Sequence, residues 1–416
     1  MKKLTIFLVT TLLIFSMAFV ASAQTKYVGY SEANDHGYME AEVIMEGEEI
    51  LDVVLTEYRQ TGKTKGKEYS YEEFHEAMAV LPEKFVEANS ADVDTVSGAT
   101  GTTNKAKQAV KMALDKAEGI TQFDGKYLGV SEASERGSQG VAWVTVSNGE
   151  ITDVKLAEYS EGEAKGDDYS YDKFHNAVEE MPERFVNANS YDVDIYSGAT
   201  GSSGRWKQAV MRALAKAGSI DKYIGYSEAN DHGYMKAEVI MEGEEILDVV
   251  LTEYRQTGKT KGKEYSYEEF HEAMAVLPEK FVEANSADVD TVSGATGTTN
   301  KAKQAVKMAL DKAEGITQFD GKYLGVSEAS ERGSQGVAWV TVSNGEITDV
   351  KLAEYSEGEA KGDDYSYDKF HNAVEEMPER FVNANSYDVD IYSGATGSSG
   401  RWKQAVMRAL VKAFSK

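Results

Sequence analysis

The sequence predicts an α+β chain of four tandem small domains, each a small antiparallel sheet packed with helices. The first observation behind this is self-similarity: residues 27–217 recur at 223–413 with three differences, Val28/Ile224, Glu40/Lys236 and Ala215/Val411. Each half repeats again, because YVGYSEA at 27–33 matches YLGVSEA at 127–133 and SGATG recurs at 97–101 and 197–201. The second observation is a pair of β-type segments in every repeat, and the third is a long amphipathic segment that closes it. The boundaries fall at 24–120, 121–219, 220–316 and 317–416, after a distinct segment at 1–23. The linkers at 117–125, 218–221 and 313–321 lack Gly/Ser or Pro runs, so neighbouring modules should stay close.

Within a repeat, Tyr38 to Met45 and Ile50 to Tyr58 are rich in β-branched, apolar and aromatic residues. Glu46-Gly47-Glu48-Glu49 separates them and reads as a solvated turn, and its counterpart contains Asn148-Gly149, a strong hairpin signal. Tyr71 to Val80 predicts a helix interrupted near Pro82, with a further short helix from Pro82 to about Ala88. Ala106, Ala109, Val110, Ala113, Leu114 and Ala117 recur at helical spacing between lysines, and Thr102 or Thr103 is placed to cap that helix.

Residues 1–23 carry Lys2 and Lys3, an apolar run from Leu4 to Val20, and Ala21-Ser22-Ala23 as a small-residue cleavage site. This is the layout of a secretory signal peptide, and the chain is expected to be exported to the periplasmic or extracellular face of the membrane. An uncleaved N-terminal anchor is the alternative, since the run is near the shortest length that spans a bilayer. The formal net charge of −26 argues against nucleic acid or anionic lipid as partners. With no cysteine, haem attachment through Cys-x-x-Cys-His and iron–sulfur ligation are excluded. No metal-ligand spacing, nucleophile triad or acid/base pair stands out, so no catalytic or metal-binding residue is assigned.

The strongest local signal is DVDTVSGATG at 92–101, DVDIYSGATG at 192–201, and their copies at 288–297 and 388–397. A small-residue turn feeding a helix N-terminus suits an anion, because free N–H groups and the positive end of the helix dipole point there. Gly98 and Ala99 allow close backbone approach, Thr100 offers a hydroxyl, and Lys105, Lys107, Arg205 and Lys207 could screen a phosphate. A plain helix-capping turn remains an alternative on spacing alone. His75, His175, His271 and His371 read as locally satisfied helix histidines or as flavin contacts. The Tyr69–Tyr71 segments read as core aromatics or as a stacking surface.

Asp-x-x-Ser-Gly-Ala-Thr resembles the flavinylation motif of the FMN-binding domain family, which includes the covalently flavinylated subunits of sodium-pumping NADH:quinone oxidoreductases and Rnf complexes. The resemblance runs through all four repeats and includes the early Tyr-x-Gly and the closing helix. It implies one FMN per module, up to four per chain, joined by a phosphodiester bond to Thr100, Thr200, Thr296 and Thr396. The motif aspartates would be Asp94, Asp194, Asp290 and Asp390. Ser97-Gly98-Ala99, Ser197-Gly198-Ala199, Ser293-Gly294-Ala295 and Ser393-Gly394-Ala395 would form the cofactor turns. The resemblance also implies a magnesium-dependent flavin transferase as maturation partner. The expected function is electron transfer outside the cytoplasmic membrane, from an unnamed membrane donor to an unnamed acceptor, by a membrane-associated carrier rather than a stand-alone enzyme. A flavin-dependent reductase subunit, or a structural repeat protein with vestigial motifs, are the alternatives.

Overall fold

The computed structural model describes residues 24–414, so the expected signal peptide or anchor at 1–23 lies outside the described residues. The first module contains β1 (Thr25–Tyr30), β2 (Tyr38–Glu46), β3 (Glu49–Tyr58), α1 (Glu72–Ala88) and α2 (Thr100–Ala117). The second contains β4 (Gly125–Val130), β5 (Ser138–Ser147), β6 (Glu150–Ser160), a short β7 (Glu163–Ala164), α3 (Asp172–Ala188) and α4 (Thr200–Ala217). The third repeats the first as β8 (Asp221–Tyr226), β9 (Tyr234–Glu242), β10 (Glu245–Tyr254), α5 (Glu268–Ala284) and α6 (Thr296–Ala313). The fourth repeats the second as β11 (Gly321–Val326), β12 (Ser334–Ser343), β13 (Glu346–Ser356), β14 (Glu359–Ala360), α7 (Asp368–Ala384) and α8 (Thr396–Ala413). Every sheet is an antiparallel meander in chain order. No helix among the described residues is long and apolar enough to cross a membrane.

Each sheet has two unlike faces. In the first module Met39 pairs with Glu57, Ala41 with Leu55 and Val43 with Val53, and this row packs beneath α1 and α2. The opposite row pairs Tyr38 with Tyr58, Glu40 with Thr56 and Glu42 with Val54. The shared Tyr-x-Gly opening has a steric reason. A Cβ on Gly29 would lie 2.0 Å from the Ala109 carbonyl oxygen of α2, and the other three copies are equally close to their helices. The hairpin expected at Asn148-Gly149 is present, with both residues at positive φ (53° and 77°) as a type I′ turn requires.

Two expectations about helices are corrected. Pro82 does not divide the segment; Glu72–Ala88 is one helix that runs through it. Phe74, Ala77, Leu81 and Phe85 form one fully buried stripe on both sides of the proline, and that burial outweighs the single lost backbone hydrogen bond. The pattern Pro-Glu-basic-Phe-Val shared by the repeats therefore lies inside this one helix. The closing helix also begins at Thr100 rather than after a Thr102 or Thr103 cap. Thr103 instead accepts the Val96 N–H at 3.2 Å through its Oγ1, bracing the preceding turn.

The outer sheet faces are covered by other modules. Module two docks on module three where Arg212 grips Asp248 through Nε (2.6 Å) and Nη2 (3.2 Å). Module four docks on module one in the same way, with Arg408 on Asp52 at 2.6 and 3.1 Å. Small apolar clusters accompany each contact: Met211, Ala215 and Ile240 in one, Met407, Val411 and Ile44 in the other. Within each half, the Ala33 N–H donates to the Lys126 carbonyl and the Ala229 N–H to the Lys322 carbonyl, both at 2.7 Å. The four modules close on themselves, and the two halves are related by a pseudo-twofold axis.

Lysines at these junctions hold lowered pKa values. Burial, reinforced by the charge of Lys222, pushes Lys216 down to about 7 and Lys116 to about 8. Burial and Lys26 push Lys312 down to about 7. The unfolded chain therefore binds more protons than the folded one between about pH 7 and about 10, and stability should rise over that window. Above it, buried tyrosines such as Tyr38 and Tyr234, whose hydroxyls burial holds far above the ordinary range, reverse the trend. Scanning calorimetry should show a Tm that climbs from pH 7 to about 9.5 and then falls. A Tm that drops across pH 7–9 would contradict the assignment.

Candidate functional site

Each SGAT turn ends at the first residue of the closing helix. Ala99 is the N-cap and is buried, but no side chain caps the helix, so its first N–H groups have no side-chain partner. Thr100, Thr200, Thr296 and Thr396 are the first helical residues and all are exposed. Ser97, Ser197, Ser293 and Ser393, with Asp94, Asp194, Asp290 and Asp390, are exposed on the same loops. Gly98 has φ +76°, and a Cβ there would meet Glu73 Cγ at 2.8 Å, so glycine is required. Ala199, Ala295 and Ala395 are buried like Ala99, while Gly198, Gly294 and Gly394 repeat the positive φ.

A tyrosine from the first helix's N-cap holds each turn. Tyr171 donates its hydroxyl to the Gly198 carbonyl at 2.6 Å and Tyr367 to Gly394 at 2.7 Å, and Tyr71 and Tyr267 do the same. These rings are among the few large apolar side chains left exposed; Tyr171 is 47% exposed. Tyr69 and its copies behave differently: Tyr69 stands edge-on to Phe74 at 5.0 Å with Lys65 over its face at 4.7 Å. Neither ring of this segment belongs to the buried core: Tyr69 and its copies pack edge-on to a phenylalanine yet stay partly or fully exposed, as Tyr71 and its copies do, so both are available to a ligand. The histidines are satisfied locally: His75 Nε2 lies 2.6 Å from the Tyr69 carbonyl oxygen, and His175, His271 and His371 repeat the contact.

The cations near the turn are not free to screen a phosphate as expected. Lys105 is buried and bonded to Glu57 at 2.7 Å, and Lys107 reaches Asp92 at 2.7 Å. Arg205 bonds Glu158 at 2.9 Å and Lys207 bonds Asp192 at 2.7 Å. The sequence reading missed the carboxylate behind this arrangement. Glu57, Glu158, Glu253 and Glu354 are at most 2% exposed, each clamped between two cations. The signal was present: Glu57 stands in the helix-facing row with Val53 and Leu55, where a carboxylate has no place without partners. Burial alone would raise the Glu354 carboxyl, but hydrogen bonds from Lys361 and Ser398 and the charge of Arg401 outweigh it and hold the group below its ordinary range.

In module four a cavity of about 450 Å³ opens beside this network, lined by Arg332, Lys361, Tyr365, Tyr367, Thr396 and Arg401. On the other side of Thr396 a second cavity of about 530 Å³ reaches Leu51 of module one. A hydroxyl at an uncapped helix start, with tyrosine rings beside it, fits a ligand that joins a phosphate to an aromatic ring system.

The FMN-binding domain family model matches the chain four times, at residues 35–115, 137–215, 232–311 and 333–411. The chain belongs to the FMN-binding domain family. It is thus a flavin-binding protein of four repeated units, and each matched stretch contains one SGAT turn. The crystal structure of the CPE2226 protein from Clostridium perfringens is similar at 24% identity, covering 23% of this chain and 88% of that chain, with a TM-score of 0.21. Among curated proteins none matches the chain.

The four FMN-binding domains form two kinds. Modules one and three place Lys105 and Lys301 on the buried glutamate, with Ala106 and Ala302 following. Modules two and four use Arg205 and Arg401, followed by fully buried Trp206 and Trp402 that pack on Phe174 and Phe370. Glu354→Ala would leave Lys361 and Arg401 partly buried without their counter-charge. The expected cost is about 3 kcal/mol, read as a lowered denaturant midpoint, whereas Asp388→Ala, which breaks an exposed pair, should cost under about 1 kcal/mol.

Proposed function

We propose that this chain is an exported electron carrier that holds one FMN covalently on each of Thr100, Thr200, Thr296 and Thr396. The observation that carries the reading is fourfold: every module keeps an intact SGAT turn whose threonine hydroxyl is exposed at the start of a helix. Exposure gives a flavin transferase access to the hydroxyl, and the uncapped N–H groups of the helix favour a phosphate there. Bound FMN would supply reversible one- and two-electron chemistry. The protein's part is to hold that group. The Tyr71 family fixes the turn and presents a ring, and the buried glutamate and its two cations keep the site's wall rigid. A tether suits an exported protein, because a dissociated cofactor would be lost to dilution, whereas a linked one rebinds intramolecularly.

Co-expressed with a flavin transferase, the exported protein should exceed the apoprotein mass by four FMN-minus-water increments and keep its colour after denaturation and filtration. Colour lost entirely on unfolding would refute covalent attachment. Thr100→Ala should leave three flavins on a folded chain; four would place the attachment elsewhere.

The two kinds of site predict the redox behaviour. Modules one and three share their site residues, as do modules two and four, and the pseudo-twofold keeps their neighbours equivalent. A redox titration of the flavinylated chain should resolve at most two classes of flavin in equal amounts. Four separate midpoints would contradict the proposal that the carriers work as matched pairs.

A further inference from the structure

Of the three differences between the halves, one changes charge, and it falls where the halves meet. Glu40 and Lys236 are equivalent residues on β2 and β9, are 9% and 8% exposed, and face each other across the pseudo-twofold. Around them Lys26 pairs with Glu42 at 3.0 Å, Lys222 with Glu238 at 2.8 Å, and Lys236 with Glu238 at 2.9 Å. Lys26 also donates to the Tyr226 hydroxyl at 2.5 Å, and Lys222 to that of Tyr30. Two identical halves carrying glutamate would set Glu40, Glu42, Glu238 and a fourth carboxylate against Lys26, Lys216, Lys222 and Lys412. Lysine at 236 removes that fourth carboxylate and adds an ammonium, so the cluster carries surplus positive charge.

The surplus is not spread evenly. Lys412 donates to the Leu324 carbonyl and stands 3.7 Å from the centre of the Tyr234 ring, with no carboxylate at ion-pair distance among the described residues; Lys216 repeats these contacts with Leu128 and Tyr38, so the unevenness comes from Lys236. Burial, then the charge of Lys26, holds its pKa well below the ordinary lysine range, as expected of an ammonium in want of an anion. Next to it lies a cavity of about 780 Å³, lined by Lys236 and Lys412 together with Tyr58, Tyr226, Tyr234 and Tyr254. Tyr234 and Tyr254 are stacked at 5.0 Å and 11°, and their rings form one wall. Exposed Lys259 and Glu357 also line it, so it reaches the surface. The lining of this cavity holds six cations and four carboxylates, Glu40 and Glu42 among them, whereas the pseudo-symmetric cavity is smaller, about 310 Å³, and its lining holds three of each.

We propose that the larger cavity is a binding site for a small aromatic anion, its charged group on Lys236 and Lys412 and its ring against the tyrosines. An excess of cations over carboxylates in the lining selects a negative group, and the tyrosine wall selects a planar ring over a bare inorganic ion. The site is separate from the SGAT turns and does not depend on the flavin reading.

The test is calorimetric titration of the full chain with naphthalene-1,5-disulfonate. One saturable site per chain is expected. Lys236→Met removes the ammonium without setting another carboxylate beside Glu40 and Glu238, and affinity should fall at least tenfold. Lys412→Met should weaken binding similarly and Lys412→Arg should retain it, with a cooperative melt and the flavin content kept in all three. Equal binding by wild type and Lys236→Met would overturn the proposal. So would equal binding of neutral 1,5-dihydroxynaphthalene, or of inorganic sulfate, because either would remove one half of the recognition argued here.

Discussion

A three- or four-stranded sheet has two faces, and two helices cover only one of them. In each of these modules the helices take the row containing Met39, Ala41 and Val43 or its equivalents, leaving a second row that includes Tyr38, Glu40, Glu42 and Ile44. That second row is too apolar and aromatic to be a solvent face and too charged to be an ordinary core. Covering it with another module resolves both problems, because the neighbour brings a cation for Asp52 and apolar groups for Ile44. The forked Arg408–Asp52 and Arg212–Asp248 contacts set the register of this covering, since a planar guanidinium accepts a carboxylate in few orientations. Closure of the four modules follows from the back faces rather than from the linkers.

The SGAT turns are positioned by the same sheets from the other side. The closing helix lies so close to the first strand at Gly29 that its start cannot shift along the strand. Its first turn is then tied down twice, by Thr103 to the Val96 N–H and by Lys105 to buried Glu57. Tyr71 fixes the turn from the adjoining helix. The exposed threonine therefore sits on a rigid frame. A buried carboxylate with two cations is costly to desolvate, and its use in all four modules is consistent with a role in defining geometry rather than in adding stability.

Near-identity of the halves has a consequence at the axis. Identical residues meeting across a twofold bring like charges together, and the Glu40/Lys236 exchange relieves that repulsion. Ala215/Val411 also lies at a contact between halves, where Val411 adds bulk against Ile44 and Ala215 leaves room beside Ile240. Divergence has thus been tolerated, or used, where one chain can do what two identical copies cannot: make the two sides of its own interface different.

Much of this protein was legible in its sequence because the relevant patterns are local. The repeats, the strand pairs, the Asn148-Gly149 turn and the helical stripe from Ala106 to Ala117 each express a short-range period or a single backbone requirement. The SGAT turns could be located for the same reason, since a glycine at positive φ before a helix is a local demand. Tertiary packing decided the rest. It carried the helix through Pro82, moved the closing helix start to Thr100, and took Lys105 away from the turn to neutralise Glu57. It also buried Glu40 and half-buried Glu42, which alternate along their strand like residues of a solvated face. Lys236, whose charge acts on Glu40, and Arg408, the partner of Asp52, lie far away in the chain, and no local period records which distant residue will cover a surface.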